Sequence, residues 1–382
     1  MRLSLIFILA CCAAAQVKTR ARDLGTPFEG VPGPRNAITD VAGVEVGHRT
    51  LIEGENVRTG VTAVWPRGKA SSDPVFGGYF SQNGNGEMTG THWLAESGFL
   101  DGPVLITNTH SVGVVRDAFL AWLVKNRRTP GTNILPGGFY AYPVVAETYD
   151  GILNDINGFH VKPEHLEAAL ESAAGGAVAE GNVGGGAGMI CYGFKGGIGT
   201  SSRRLPPSEG GYTVGVLVQC NCGIRRQLRI AGVPAGEELP EDPPRAQGRY
   251  REDVGSIIIV VATDAPLLPH QAQRLARRAT MGLARTGSTS GNGSGDIFIA
   301  FSTASRGAAA ARAPVSVAMA PNDSLNPLFE AAVQATEEAI VNAMVAAETM
   351  RGRNGATVTA LPHQRLRELL LKYHRTAAPA SP

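Results

Sequence analysis

Hydrophobic and polar positions along the chain fall into short blocks rather than one sustained period. Residues 36–66 (NAITDVAGVEVGHRTLIEGENVRTGVTAVWP) alternate β-rich runs with Gly and Asn turns and predict strands. PVLITN (103–108), TVGVLVQCN (213–221), SIIIVVATD (256–264) and DIFIAFST (296–303) are apolar runs of strand length. Apolar residues at helical spacing predict helices over 115–127, 165–178, 269–285 and 326–350. The second is loosened by Gly175-Gly176, and the last offers Leu328, Ala332, Ala335, Ala343 and Ala347 for packing. Residues 181–199 are Gly-rich, and 231–253 are Pro-rich, charged and unpatterned, which predicts a surface loop or linker. Strands and helices mix without strict βαβ repetition or an internal repeat, so the pattern predicts a layered α+β or α/β sandwich.

The first residues stand apart from this pattern. Met1-Arg2 gives a positive start, Leu3 to Ala10 an apolar core, and Ala13-Ala14-Ala15 a small-residue cleavage site before Gln16. That order is a secretory signal peptide over residues 1–15, and it predicts an exported protein, periplasmic or secreted. Cys11 and Cys12 are placed poorly for lipid attachment, since the upstream leucine or the small residue is misplaced in each case. No other stretch approaches the roughly 18 apolar residues of a membrane span.

Composition narrows the function classes. With Lys+Arg 35 against Asp+Glu 33 the net charge is +2, which excludes an electrostatic nucleic-acid or membrane binder as the main reading. Gly 48 and Pro 24 imply many tight turns and close backbone packing. Removing the leader leaves Cys191, Cys220 and Cys222, too few for a disulfide framework. Cys220 and Cys222 lie two apart on one face of a strand end, where geometry disfavours a bridge, and packing is their expected role. The histidines are scattered, HExxH and CxxC are absent, and no metal or other cofactor is expected.

Motif tests leave one candidate chemistry. Lys195 is followed by Gly, so the Walker pattern fails, and no GxGxxG stands in a strand-to-helix context. A GxSxG elbow at Ser294 is excluded by Asn292 and Asp296. What remains is the run Gly287-Ser288-Thr289-Ser290-Gly291-Asn292-Gly293-Ser294-Gly295-Asp296, immediately ahead of an apolar strand. It reads either as a polar loop entering that strand or as a scissile Gly293–Ser294 bond. In the second reading the serine hydroxyl attacks the preceding carbonyl, and glycine at 293 allows the unhindered approach. Hydrolysis of the resulting ester frees Ser294 as a new N-terminus, splitting the chain into 16–293 and 294–382. An α-amine has a reference pKa near 7.7–8.0, so nucleophile and general base then share one residue.

Six ordered blocks carry a resemblance. NAITDVAGVEVGH (36–48), AETYDGILNDING (146–158), FKGGIGTSSR (194–203), VLVQCNCGIRRQL (216–228), NGSGDIFIAFSTA (292–304) and LFEAAVQATEEAIVNA (328–343) are similar to the L-aminopeptidase/D-alanine-esterase-amidase family, which includes the β-peptidyl aminopeptidases. The resemblance implies a four-layer αββα sandwich of N-terminal-nucleophile type, self-cleavage, release of N-terminal residues from small peptides, amides or esters, and a homo-oligomer of cleaved heterodimers. Carried over, Ser294 is the nucleophile and Gly293–Ser294 the processing site. Asn221 is an oxyanion donor, or else an Asn closing a strand into a turn. Tyr149 donates to the oxyanion or orients the serine, or is an ordinary half-buried tyrosine. Glu147 takes the substrate's ammonium, or is a solvated strand residue. Asp323 aligns with a glutamate that supports the nucleophile in relatives, but Pro321 stands where those have a serine, and a turn residue is the plainer reading. The rivals are an acyltransferase of ornithine-acetyl type, which cuts before threonine, and a secreted binding protein that stays whole. The choice between α- and β-amino acids, L and D residues, or amides and esters is not legible in the residues.

Overall fold

The computed structural model describes residues 18–129, 134–239 and 255–377, so the expected leader with Cys11 and Cys12, and most of the 231–253 segment, lie outside the described residues. Two sheets stack face to face. One runs in the order Glu45–Glu53, Val57–Trp65, Val104–Asn108, Val144–Thr148, antiparallel except for its last pair. The other runs Gly197–Arg204, Thr213–Asn221, Ser256–Thr263, Gly295–Ser302, Val75–Gly84, Phe99–Leu100, antiparallel except where Ser256–Thr263 meets Gly295–Ser302.

Alternation along the strands explains the layers. Val46, Val64, Ile106 and Val144 of the first sheet meet Leu217, Ile258, Val260, Ile299 and Phe301 of the second between the sheets. Trp65, Leu105 and Val145 face outward and are covered by Val115, Phe119 and Leu166 of the helices Val112–Lys125 and Pro163–Glu171. Val216, Val218, Ile259 and Phe298 pack on Leu275, Ala279, Leu328 and Ala335 of Pro269–Arg285 and Asn326–Val345. This is the αββα sandwich, and each large aliphatic side chain it buries contributes roughly 1.5–3 kcal/mol. The alanine-rich helix sits very close to its sheet: a Cβ on Gly199 would lie 2.0 Å from the Ala339 carbonyl oxygen.

Most predicted elements appear within a few residues, and the departures have local causes. The 165–178 helix is Pro163–Glu171, because Ala174 leaves it to bridge Val46 ahead of the glycine pair. The last long helix stops at Val345, and Met350–Arg351 turns back to pair with Thr357–Val358. Residues 36–44 hold the short turn Ile38–Asp40 rather than a strand, with Asp40 accepting the Ala37 N–H. Residues 231–239 are not a surface loop, since Ala231, Val233, Ala235 and Leu239 are buried in the core. Among the described residues, no helix is long and apolar enough to cross a membrane.

Candidate active site

Strand register brings Asn221, Ser256, Gly295 and Gly84 into one row across the end of the six-stranded sheet. Ser294 stands one residue before that row and is buried. Its Oγ donates to Asp296 Oδ1 at 2.6 Å, and Asp296 is wholly buried. Burial pushes the Asp296 carboxyl above its ordinary value, while hydrogen bonds from Ser290, Ser294 and the Ile257 N–H pull the other way.

The Gly293 carbonyl, the acyl group of the expected scissile bond, accepts a hydrogen bond from Asn85 Nδ2 at 2.8 Å. On the other side of the bond, the Ser294 carbonyl accepts from Asn83 Nδ2 and, at 3.2 Å, from the Asn85 N–H. The Ser294 N–H itself donates to Gly291 O at 2.9 Å, tightening the turn. The asparagines arrive here because Val75–Gly84 is the antiparallel neighbour of Gly295–Ser302, and its end delivers residues 83–86 against 291–295. The contact is backbone on backbone. A Cβ on Gly295 would lie 2.5 Å from the Asn85 carbonyl oxygen, so a side chain there has no room.

Residues beyond Gly86 run along the edge of the other sheet through a Met88–Ala146 bridge, which carries the site to Glu147. Glu147 is 4% exposed; its Oε1 accepts the Glu87 N–H at 2.9 Å and its Oε2 the Thr109 hydroxyl. Burial raises its carboxyl above the usual range, and these two hydrogen bonds oppose that shift. A Cβ built on Gly86 would touch both Glu147 Oε1, at 3.2 Å, and Gly295 Cα, at 3.1 Å, so one glycine separates the carboxylate from the strand that follows Ser294.

Asn221 is buried at the end of Thr213–Asn221, with Oδ1 accepting the Ile190 N–H at 2.8 Å. That bond fixes the amide orientation, and its Nδ2 has no protein partner among the described residues. Tyr149 follows the strand Val144–Thr148, is 40% exposed, and lays its ring over Gly151. Its neighbour Thr148 accepts from Gln219 Nε2 at 2.8 Å, and Gln219 lies two residues before Asn221 on its strand.

Asp323 is not brought to this site. It is exposed in the turn Asn322–Ser324. Ala320 donates to Pro266 O, and Gln271 Nε2 holds Ala320 O and Asn322 Oδ1, which ties the turn beside Ala265, whose carbonyl accepts from Ser302 Oγ at the far end of Gly295–Ser302. Seven residues of strand put that end about 23 Å from Gly295. Sequence reasoning missed Asn83, Asn85 and Asp296. Asp296 was visible in NGSGD, but nothing in QNGNG marks Asn83 or Asn85 as partners of residues 291–295.

Comparison with known proteins places this geometry. The sequence profile of Peptidase family S58 matches residues 36–358. The chain belongs to this family. It is 56% identical to the β-peptidyl aminopeptidase BapA of Sphingosinicella microcystinivorans, over 97% of this chain and 96% of that one. The L-aminopeptidase D-Ala-esterase/amidase of Ochrobactrum anthropi, a prototype of the serine aminopeptidases and a variant of the Ntn hydrolase fold, superposes with a TM-score of 0.86 at 49% identity, covering 94% of this chain and 99% of that one. A Burkholderia sp. β-aminopeptidase superposes with a TM-score of 0.84 at 48% identity, covering 93% and 99%. The S58 chain described here is thus a serine aminopeptidase on the Ntn hydrolase fold, and the resemblance drawn from the six sequence blocks holds.

Proposed function

We propose that this S58 aminopeptidase matures by cutting its own Gly293–Ser294 bond and then uses Ser294 Oγ as nucleophile and the new α-amine as base. The observation that carries this reading is the uncut junction: the hydroxyl rests on a carboxylate, and the carbonyl it would attack is held by an amide. Before cleavage no α-amine exists, so another base is needed. Asp296 takes the Oγ proton as Oγ bonds to the Gly293 carbonyl carbon, and Asn85 Nδ2 donates to the oxygen as it gains charge. The C–N bond then breaks, the nitrogen takes a proton, and water hydrolyses the Gly293 ester to a carboxylate.

In the mature enzyme the α-amine accepts the Ser294 proton during attack on a substrate carbonyl. Asn221 Nδ2 donates to the oxyanion and the Tyr149 hydroxyl completes the donor pair. Glu147 pairs with the substrate's free ammonium, which selects peptides, amides or esters carrying an unblocked N-terminal residue. The relatives named for β-peptides support N-terminal β-amino residues as substrates. Asp323, exposed and remote, takes no part within one chain. Residues 1–15 direct export, and the cleaved heterodimers assemble into a homo-oligomer.

Intact mass under denaturing conditions, taken beside Ser294→Ala, tests the first claim. Two chains, 16–293 and 294–382, are expected from the parent and a single chain from the variant. An uncut parent overturns self-processing. Rates on paired amides of β-alanine and L-alanine then test the substrate claim.

A further inference from the structure

The mechanism leaves one cluster of reactive groups unused. Cys191, Cys220 and Cys222 are all buried and free, and their sulfurs converge behind Asn221. Cys191 Sγ is 2.7 Å from Cys220 Sγ, whereas Cys222 Sγ stands 3.6 Å and 3.7 Å from the other two. Sequence spacing alone concerned Cys220 and Cys222, which strand geometry keeps apart. The fold adds Cys191 from the short strand Ile190–Cys191.

We propose that Cys191 and Cys220 form a disulfide in the mature enzyme, and that it staples the backbone that aims Asn221. The bridge joins the two places that orient this amide. Cys191 follows Ile190, whose N–H holds Asn221 Oδ1, and Cys220 precedes Asn221 itself. A disulfide needs an S–S separation of about 2.05 Å, so closure asks only for a small side-chain rotation at the short pair. Both sulfurs become neutral, which suits a fully buried site, whereas a metal held by three thiolates would bury their charges and find no fourth protein ligand in this cluster among the described residues.

In the folded, still-reduced cluster the surroundings also act on the thiols themselves. Burial works against an ionised Cys191, but hydrogen bonds from the two neighbouring thiols and the Cys222 N–H, with the Lys195 charge, bring it down to about 5. Lys195 is itself buried, which lowers its amine to about 7, and it donates to Met189 O at 2.9 Å and Gly196 O at 3.0 Å. The oxidant is a disulfide-bearing donor, a protein thiol oxidase or glutathione disulfide, that meets the chain before packing closes. Cys191 thiolate attacks a donor sulfur and releases a donor thiolate. Cys220 thiolate then displaces the second donor thiolate, so two electrons pass to the donor and the two thiol protons to its sulfurs or solvent. Cys222 is left as a thiol.

The bridge itself is independent of the proposed catalytic scheme; only its effect on Asn221 rests on that reading. Alkylation and peptide mapping of the exported protein, purified without reductant and denatured in iodoacetamide, decide the bridge. Cys222 alone labelled, with Cys191 and Cys220 labelled only after reduction, is the expected result. Three labelled thiols in a chain lacking residues 1–15, a bridge through Cys222, or a retained metal ion overturns it. If residues 1–15 are still present, the export reading fails, and mapping after refolding with glutathione disulfide decides the bridge instead. Kinetics on the C191A/C220A double variant, beside C222A, test the positioning role. A fall in kcat of roughly 10–100-fold at unchanged KM, with complete self-cleavage, is expected for the double variant, the scale of a displaced catalytic group. Parent-like kcat in the double variant overturns the role while the mapped bridge stands. An inactive parent enzyme overturns the catalytic scheme and leaves the mapping result untouched.

Discussion

Ser294 Oγ donates to Asp296 Oδ1 across 2.6 Å, with one glycine between them in the chain. The proposed nucleophile and the carboxylate its hydroxyl touches are therefore set by the same few residues that enter the central strand. Asp296→Asn keeps the side-chain shape and removes the proton acceptor, and it is expected to slow self-cleavage by about 10²–10⁴-fold. A time course of intact mass after synthesis measures this. Because burial raises the Asp296 carboxyl above its ordinary range, cleavage of the parent should slow as pH falls through that raised value, and the variant should lose that dependence. Asn85→Ala, which removes the donor to Gly293 O, should also slow cleavage.

Asn221→Ala is expected to act after maturation. Loss of one oxyanion donor typically costs about 10²–10³ in kcat, or about 2.7–4 kcal/mol, and KM should change little. Steady-state kinetics on the fully cleaved variant separate this from a processing defect. An equal loss carried entirely by KM would count against the oxyanion role.

Glu147→Gln should raise KM for substrates with a free N-terminal amine while leaving the chains fully cleaved. In the parent the carboxylate must be ionised to pair with an ammonium, and its burial holds it above the usual range. The parent's kcat/KM should accordingly fall as pH drops through that raised value, and the variant's profile should flatten there. Paired pH profiles of the two proteins are the measurement.

Stability has a separate keystone in Glu338. It is wholly buried on the helix Asn326–Val345 and pairs with Arg22 Nε at 2.7 Å and Arg203 Nη2 at 2.8 Å, while Asn36 donates to it. Glu338→Ala leaves the buried Arg203 uncompensated and should cost about 3–5 kcal/mol. Burial alone would raise the Glu338 carboxyl, but Arg22, Arg203 and Asn36 outweigh it and hold it below its ordinary value. The contribution is thus present above the unfolded carboxyl's value and is lost as pH falls through the lower, folded one. Denaturant unfolding of the uncut Ser294→Ala protein, with and without the second change, reads the difference.

The layers were legible because burial leaves a regular trace: SIIIVVATD and DIFIAFST have the apolar continuity of central strands, and Pro269–Arg285 was bounded by its own pattern. The turn at Ser294 stood out because small residues crowd ahead of an apolar strand, a run that reads either as a polar loop or as a scissile turn. Asn85 did not, because its role depends on register between strands some two hundred residues apart, which no local spacing encodes. The place of Asp323 was hidden for the same reason: alignment to a motif says nothing of the end of the sheet at which a turn is anchored. The thiol cluster needed Ile190–Cys191 folded back onto the Thr213–Asn221 strand end before its third member came into view.

The strand that Ser294 opens lies between Ser256–Thr263 and Val75–Gly84, both on the far side of the cut in sequence. Under the proposed self-cleavage, the cut would not release an arm; it would leave a separate polypeptide laced through the middle of a sheet by ladders on both edges. The uncut chain finds this topology by a unimolecular route, whereas two denatured fragments must first collide. Refolding of the mature enzyme should become concentration-dependent and poor, while Ser294→Ala refolds at a rate independent of concentration. If the chain matures as proposed, it erases its own route back to its structure, and the native state of the working enzyme survives as a memory of a molecule that no longer exists.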